Sequence, residues 1–149
     1  MNIGKICNKD VAVCRRGTTA LQLAQLMRKH HVGDFLVVDD ALGKTVPVGI
    51  VTDRDLVVSV IATEIDSSAI CVEDFMSSPL VLAYDWEDIF SVLERMRQHG
   101  IRRIPVVDEP GQLFGIVTLD DIVAALAGML MQMALVSSQG KSIEELHKH

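Results

Sequence analysis

The chain repeats itself, and this repeat limits the possible folds more than any other feature. Residues 96–108 (MRQHGIRRIPVVD) align with residues 27–39 (MRKHHVGDFLVVD) at a constant offset of 69. The segment GIVT recurs at 49–52 and 115–118, an offset of 66, so the first copy has three extra residues in the turn from Ala41 to Pro47. Two blocks that recur in the same order indicate an internal duplication.

Both copies predict the same series of elements. Amphipathic runs at 19–30 and 86–99 have apolar residues at helical spacing, and each is followed by a short apolar strand, a polar turn and a second strand. Thr52 and Thr118 then stand as N-caps of a second helix. One repeat of roughly sixty residues cannot cover both faces of its small sheet. We therefore predict an α+β fold of two pseudo-symmetric β-α-β-β-α repeats, packed sheet against sheet with two equivalent clefts between them.

The repeats predict a division into residues 1–66, residues 70–128, and a C-terminal helix with a polar tail at 129–149.

The apolar stretch from Ile122 to Val136 is about fifteen residues long, too short for a membrane-spanning helix. We expect a mobile tail around His147 and His149. The start of the predicted C-terminal helix is rich in flexible apolar side chains, namely Met129, Leu130, Met131, Met133 and Leu135. Such side chains suit an adaptable interface, and the alternative is that they belong to an ordinary core.

Composition excludes several classes of protein. The chain has 149 residues, 49% of them hydrophobic, and a net charge of −6. Residues 1–69 hold eight basic and eight acidic side chains, whereas residues 70–149 hold six and twelve. Without a basic stripe, binding to nucleic acid is not expected. The N-terminus has no secretion signal, which favours a cytoplasmic protein. Three cysteines at these spacings favour buried free thiols over disulfides or a metal site.

The motif Gly-Ile-Val-Thr-x-x-Asp stands at the second strand-to-helix junction of each copy, at 49–55 and 115–121. The glycine permits close backbone approach, and the threonine hydroxyl and free helix N–H groups can hold a phosphate. The aspartate can accept both hydroxyls of a ribose. This combination suits a nucleotide. The alternative is that the threonines are only N-caps and the aspartates only favour the positive end of a helix dipole.

These residues resemble the signature of the cystathionine beta-synthase (CBS) domain family. The second copy does so through residues 105–108 and 115–121, the first through 37–39 and 49–55, and the resemblance covers 3–128. It implies a Bateman module, in which two CBS repeats form clefts that bind AMP, ATP or S-adenosylmethionine, and which pairs into a homodimer.

The resemblance also implies roles for individual residues. Asp55 and Asp121 would hold ribose hydroxyls, while Thr52 and Thr118 would contact phosphate. Adenine would be sandwiched by the backbone and apolar side chains of two segments, Val11 to Val13 and Leu80 to Leu82, the second of which includes Val81. The basic position of the family before the Pro-Val-Val strand falls on Arg102 and Arg103.

The two copies differ at charged positions. The first has Gly33 and Asp34 where the second has Arg102 and Arg103, and Arg54 corresponds to Asp120. A guanidinium binds phosphate and a carboxylate repels it. We therefore expect unequal clefts, with a phosphate on the Asp121 side through Arg103 and with Asp120 acting against it. The alternative is that both arginines are solvated surface charges.

The predicted function is regulatory: the chain binds an adenosine compound, needs no cofactor, catalyses no reaction, and changes the geometry of a homodimer that an unknown protein partner reads. No catalytic constellation is evident, and the adjacent His30 and His31 point in different directions on a helix. Two alternatives remain. One is an interaction or dimerisation module without a ligand, and the other a metal or redox sensor that uses histidines with Cys7, Cys14 or Cys71.

Overall fold

The computed structural model describes residues 1–148, in which the predicted series of elements occurs twice. The first repeat consists of β1 (Val13–Cys14), α1 (Ala20–His30), β2 (Asp34–Ala41), β3 (Lys44–Thr52) and α2 (Asp53–Leu56), which continues as a π-helical turn over Val57–Ile61. The second consists of β4 (Ala83–Tyr84), α3 (Ile89–His99), β5 (Arg103–Val107), β6 (Leu113–Thr118) and α4 (Leu119–His147). The predicted α+β tandem arrangement is confirmed.

Each repeat contains one three-stranded sheet, in the order β1-β2-β3 or β4-β5-β6. The central strand, β2 or β5, pairs in parallel with the short strand before the helix and antiparallel with the strand that follows it. Both antiparallel pairs have a register shift at the equivalent place, after Val37 and after Val106. The three extra residues of the first copy lengthen its hairpin, whose tip residues Leu42 and Gly43 have φ of 52° and 76°, as two-residue hairpin turns require.

The chain is only 4% aromatic, and aliphatic and methionine side chains make up most of the two cores, with Phe35 as the buried aromatic residue within residues 1–148. Helix α1 buries Ala20, Leu23 and Met27, and helix α3 buries Ile89, Val92 and Met96. Leu26 and Leu93 also follow the helical spacing of apolar residues, and they lie half-buried at the edge of the two cores. The prediction of two amphipathic helices on two small sheets therefore holds for both repeats.

The residues ahead of β1 and β4 cross to the opposite repeat. We call residues 2–12 and 71–81 the lead segments. Asn8 and Ile116 exchange two backbone hydrogen bonds of 2.8 and 2.9 Å, and Ser77 and Ile50 exchange two of 2.9 and 3.2 Å. Ile3 is fully buried in the core of the second repeat, and Val72 in the core of the first. Each core is thus completed by the other repeat's lead segment, which interlocks the two halves.

The motif glycines accommodate these crossing segments. A Cβ added at Gly115 would lie 2.7 Å from the backbone oxygen of Asn8, and one added at Gly49 would lie 2.3 Å from Sδ of Met76. The close approach that the glycines were predicted to permit is therefore made by the protein's own lead segments.

Helix α4 is longer than the sequence predicted. It begins at Leu119, passes Gly128 without a break and ends at His147, a length of about 43 Å. The residues from Ile122 to Gly140 include no charged side chain, and α4 is the one helix within residues 1–148 that is long and apolar enough to cross a membrane by length and composition. The prediction that this stretch is too short to span a bilayer is therefore wrong. The expected mobile tail is helical as far as His147, and His149 lies outside the described residues.

Substitution of the motif glycines tests the interlock. Gly115→Ala is expected to lower the free energy of unfolding by about 1–3 kcal/mol, because the backbone of Asn8 must move. Gly49→Ala is expected to cost less, since the flexible Met76 side chain can turn aside. Denaturant titration measures both, with Gly128→Ala, where an added Cβ meets nothing within 4 Å, as the control. Equal losses at Gly115 and Gly128 would contradict the interlock.

Candidate functional site

The first cleft lies between the β3–α2 corner of repeat 1 and residues of repeat 2. It has a volume of about 610 Å³. Its lining contains many of the predicted binding residues, namely Thr52, Arg54, Leu80, Val81, Arg102 and Arg103, together with Ile50, Ser77, Pro79, Gly100, Ile101 and Pro105. The structure therefore assembles one site from both repeats.

The second cleft is the pseudo-symmetric counterpart of the first. It has a volume of about 200 Å³ and adjoins a hollow of about 360 Å³ that reaches Val13. Its polar and predicted lining residues are Asn8, Asp10, Val11, Asp34, Arg103 and Thr118. Here the β6–α4 corner of repeat 2 faces residues of repeat 1.

Each cleft combines residues of both repeats because the lead segments cross from one repeat to the other. The hydrogen bonds of Ser77 to Ile50 carry the following Leu80 and Val81 to the corner of repeat 1, and those of Asn8 to Ile116 carry Val11 to the corner of repeat 2. Arg103 consequently borders both clefts. This differs from the arrangement expected from the sequence, in which Arg103 served the Asp121 side.

Both corners are capping boxes. The Thr52 hydroxyl accepts a hydrogen bond from the backbone N–H of Asp55 (3.1 Å), whose carboxylate accepts one from the N–H of Thr52 (2.8 Å). Thr118 and Asp121 form the same pair at 3.2 and 2.9 Å. The N-cap role that the sequence left open is therefore present. It leaves each threonine with a hydroxyl proton to donate, and within residues 1–148 each aspartate keeps its Oδ1 without a protein hydrogen bond.

The two clefts differ in charge. Arg54, Arg102 and Arg103 line the first cleft. The lining of the second includes Asp10 and Asp34, with Arg103 at the border. Guanidinium groups bind phosphate in bidentate fashion, whereas carboxylates repel it. The first cleft is therefore the one suited to an anionic ligand.

A partly buried ion pair holds the apolar wall of the first cleft. Arg95 donates two hydrogen bonds to Glu87, of 2.6 and 3.0 Å, and a third to the carbonyl of Leu82 (2.7 Å). Glu87 also accepts from the N–H of Tyr84. Hydrogen bonding from Arg95 lowers the pKa of the Glu87 carboxyl below its usual value, although burial opposes the shift. The pair fixes the start of β4, which directly follows the cleft residues Leu80 and Val81.

The alternative of a metal or redox sensor built from cysteine and histidine side chains gains little support from the described residues. Burial raises the pKa of the Cys14 thiol to about 11, with Arg15 opposing the shift, and burial also raises the pKa of Cys7. A raised pKa leaves less reactive thiolate. In the part of the chain that the structure describes, no three side chains of His, Cys, Asp or Glu form a group able to hold a metal ion.

Sequence reasoning missed several lining residues of the clefts, among them Asn8, Asp10, Ser77 and Asp34. Asn8 and Ser77 occupy equivalent positions at the offset of 69, but their side chains share no pattern that could mark them. Asp34 was noted only as a difference between the copies. The structure shows an ion pair between its carboxylate and Arg103, across the boundary of the two clefts.

Two comparisons with curated proteins bear on these clefts. The uncharacterised protein MK0525 of Methanopyrus kandleri is 34% identical over 122 residues, which are 82% of this chain and 61% of that protein. The inosine-5'-monophosphate dehydrogenase of Mycobacterium tuberculosis is 33% identical over 76% of this chain, but the match spans only 20% of the dehydrogenase. The chain thus covers part of the length of these relatives.

Several solved structures have the same fold. Hypoxic Response Protein I with two coordinated zinc ions is 28% identical, with a TM-score of 0.71 over 83% of this chain and 98% of that one. A hexameric CBS-CP12 protein from bloom-forming cyanobacteria is 26% identical, with a TM-score of 0.69 over 83% and 69%. The CBS domain protein PAE2072 from Pyrobaculum aerophilum, complexed with AMP, is 23% identical, with a TM-score of 0.70 over 81% and 89%; this likeness concerns the fold alone.

The family itself is identified by a profile of the CBS domain. It matches this chain twice, over residues 3–61 and 72–128. These two matches fall on the two halves of the internal duplication and include both capping-box corners. The chain belongs to the CBS domain family.

Proposed function

We propose that this protein is a regulatory module that binds an adenine nucleotide, with AMP as the simplest example, in the first cleft. The observation that carries the proposal is the convergence of three arginines and the Thr52 corner on one cavity. Its volume of about 610 Å³ lies in the usual range for small-molecule sites. The same set of charges is missing from the equivalent positions of the second cleft.

Each part of AMP has a suitable partner in this cleft. Leu80 and Val81 provide an apolar wall for adenine. Asp55 does not line the cavity, but it forms the capping box with the lining residue Thr52, and its unused carboxylate oxygen would accept a hydrogen bond from ribose at that edge. The phosphate would meet the Thr52 hydroxyl and the guanidinium groups at the rim. An AMP complex of the same fold, in PAE2072, is consistent with this use of a CBS pair.

The choice of cleft rests on electrostatics. Sequence alone favoured the Asp121 side for phosphate, but in the structure Arg54, Arg102 and Arg103 line the cavity of Thr52, whereas Asp10 and Asp34 line that of Thr118. Asp34 is also the strand partner of Thr52, so it borders the first cleft as well. We therefore assign the nucleotide to the Thr52 side. Other adenosine compounds, including ATP and S-adenosylmethionine, are the comparison ligands for the binding experiments.

Signalling would pass through pairing of two copies by α4. Beyond Gly128 this helix is exposed on all sides, and Met133 and Val136 have relative exposures of 65% and 71%. Large apolar residues recur at alternating spacings of three and four at Leu126, Met129, Met133 and Val136, a pattern typical of helices that pair with another helix. Ile143 stands seven residues further on, with Gly140 at the intermediate position. We infer a homodimer in the cytoplasm, whose geometry an unknown protein partner reads and whose ligand acts by its difference in affinity for two states.

Pseudo-symmetry supplies a matched pair of variants for the nucleotide site. Thr52→Val is expected to weaken AMP binding about tenfold or more, because a hydrogen bond to a charged phosphate is lost. Thr118→Val removes the same type of N-cap and is expected to leave AMP affinity unchanged. Isothermal titration of both variants and the wild type measures this difference.

A thermal-shift panel separates the proposal from a module without a ligand. AMP should raise the melting temperature of the wild type in proportion to the logarithm of its concentration over the dissociation constant. Equal weakening of AMP binding by both threonine variants would contradict the choice of cleft. An absence of any shift or heat with AMP, ATP and S-adenosylmethionine would favour the interaction module.

Charge substitutions on α4 test the dimer. Met133→Glu is expected to convert the dimer to a monomer, since it places a carboxylate in the apolar stripe. Leu135→Glu, on the opposite face and also exposed, is expected to leave the dimer intact. Analytical ultracentrifugation measures both. A monomeric wild type that sediments with phospholipid vesicles would contradict pairing and assign α4 to a membrane.

A further inference from the structure

One ion pair joins residues at equivalent positions of the two repeats. Arg103 and Asp34 are related by the offset of 69, and their side chains meet across the pseudo-twofold relation between the repeats. They are partly exposed, with relative exposures of 43% for Arg103 and 24% for Asp34. The duplication thus places opposite charges face to face where identical copies would place like charges.

This pair lies at the boundary between the clefts. Arg103 lines both clefts, and Asp34 lines the second. Within their own sheets Asp34 pairs with Thr52 and Arg103 with Thr118. Both also line a hollow of about 420 Å³ that contains Thr52. The guanidinium that faces the proposed phosphate position is therefore already neutralised by a carboxylate from the neighbouring cleft.

The other arginines of the first cleft are less restrained. Arg102 approaches Asp120 at 3.8 Å, with both side chains largely exposed, so water and salt screen that pair. Within residues 1–148, Arg54 forms no ion pair. Of the three arginines, Arg103 is the one that forms a partly buried ion pair within the described residues.

We propose that Asp34 sets the affinity of the first cleft for phosphate, by competing with the ligand for Arg103. This inference rests on the proposed function and adds a residue outside the first cleft that determines its specificity. A phosphate must share or displace Asp34 at the guanidinium, and the carboxylate also repels the phosphate directly. A nucleoside without phosphate does not draw on Arg103, so Asp34 affects the preference for AMP over adenosine.

The test compares AMP and adenosine on Asp34→Asn and on a control of equal charge change. Asp34→Asn is expected to bind AMP about two- to fivefold more tightly, the range for release of a partly exposed ion pair, with adenosine affinity unchanged. Asp40→Asn removes the carboxylate that Arg15 pairs with at 3.2 Å, away from the clefts, and is expected to leave both affinities unchanged. Isothermal titration at low and at high salt measures them, and the gain should shrink at high salt.

A double-mutant cycle shows whether the effect passes through Arg103. In an Arg103→Gln background, Asp34→Asn is expected to give less gain in AMP affinity than in the wild type. Melting temperatures confirm that each variant folds, and Asp34→Ser serves as a second variant. An unchanged AMP affinity in a folded Asp34 variant overturns the inference while the proposed function stands. Failure of wild type and variants alike to bind AMP overturns the proposed function, and the inference with it.

Discussion

The structure depends on the reciprocal backbone pairing of its two lead segments. Asn8 with Ile116 and Ser77 with Ile50 form four hydrogen bonds between the halves, and each lead segment inserts an aliphatic side chain into the opposite core. Gly49 and Gly115 are required where these segments pass. Because both crossings obey the same offset, the interlock produces two equivalent clefts, each made of one repeat's corner and the other repeat's lead segment.

Different side chains on this symmetric frame give the clefts different chemistry. The capping boxes are the same at both corners, with hydrogen bonds that agree to within 0.1 Å. What differs is the charge around them: three arginines line the first cleft, and their equivalents in the other copy are two carboxylates and a glycine, namely Asp120, Asp34 and Gly33. Under the proposed function, the fold offers two places for a nucleoside, and the surrounding charges favour a phosphate in one of them. The pair of Arg103 with Asp34 connects the two sites through a single guanidinium.

Much of the fold could be predicted from the sequence, because periodicity and capping residues are local signals. Thr52 and Thr118 stop a strand and start a helix, and the spacing of Leu23 and Met27 marks a buried face. The crossing of the lead segments could not be predicted in this way, because its hydrogen bonds are made by backbone groups that any residue carries. The partner of Arg103 depends on that crossing, so sequence reasoning placed Arg103 on the Asp121 side alone, whereas it borders both clefts. The extent of α4 was underestimated because the sequence was divided after Gly128 into a second repeat and a C-terminal helix, although an exposed helix tolerates an isolated glycine.

The central claim is that the Thr52 corner and the arginines of the opposite repeat form a nucleotide site. A crystal structure of the chain grown with AMP tests it most directly. We expect AMP in the first cleft, with its phosphate between Thr52 and Arg103 and its adenine against Leu80 and Val81. AMP bound only beside Thr118 and Asp121, or absent from both clefts at saturating concentration, would contradict it.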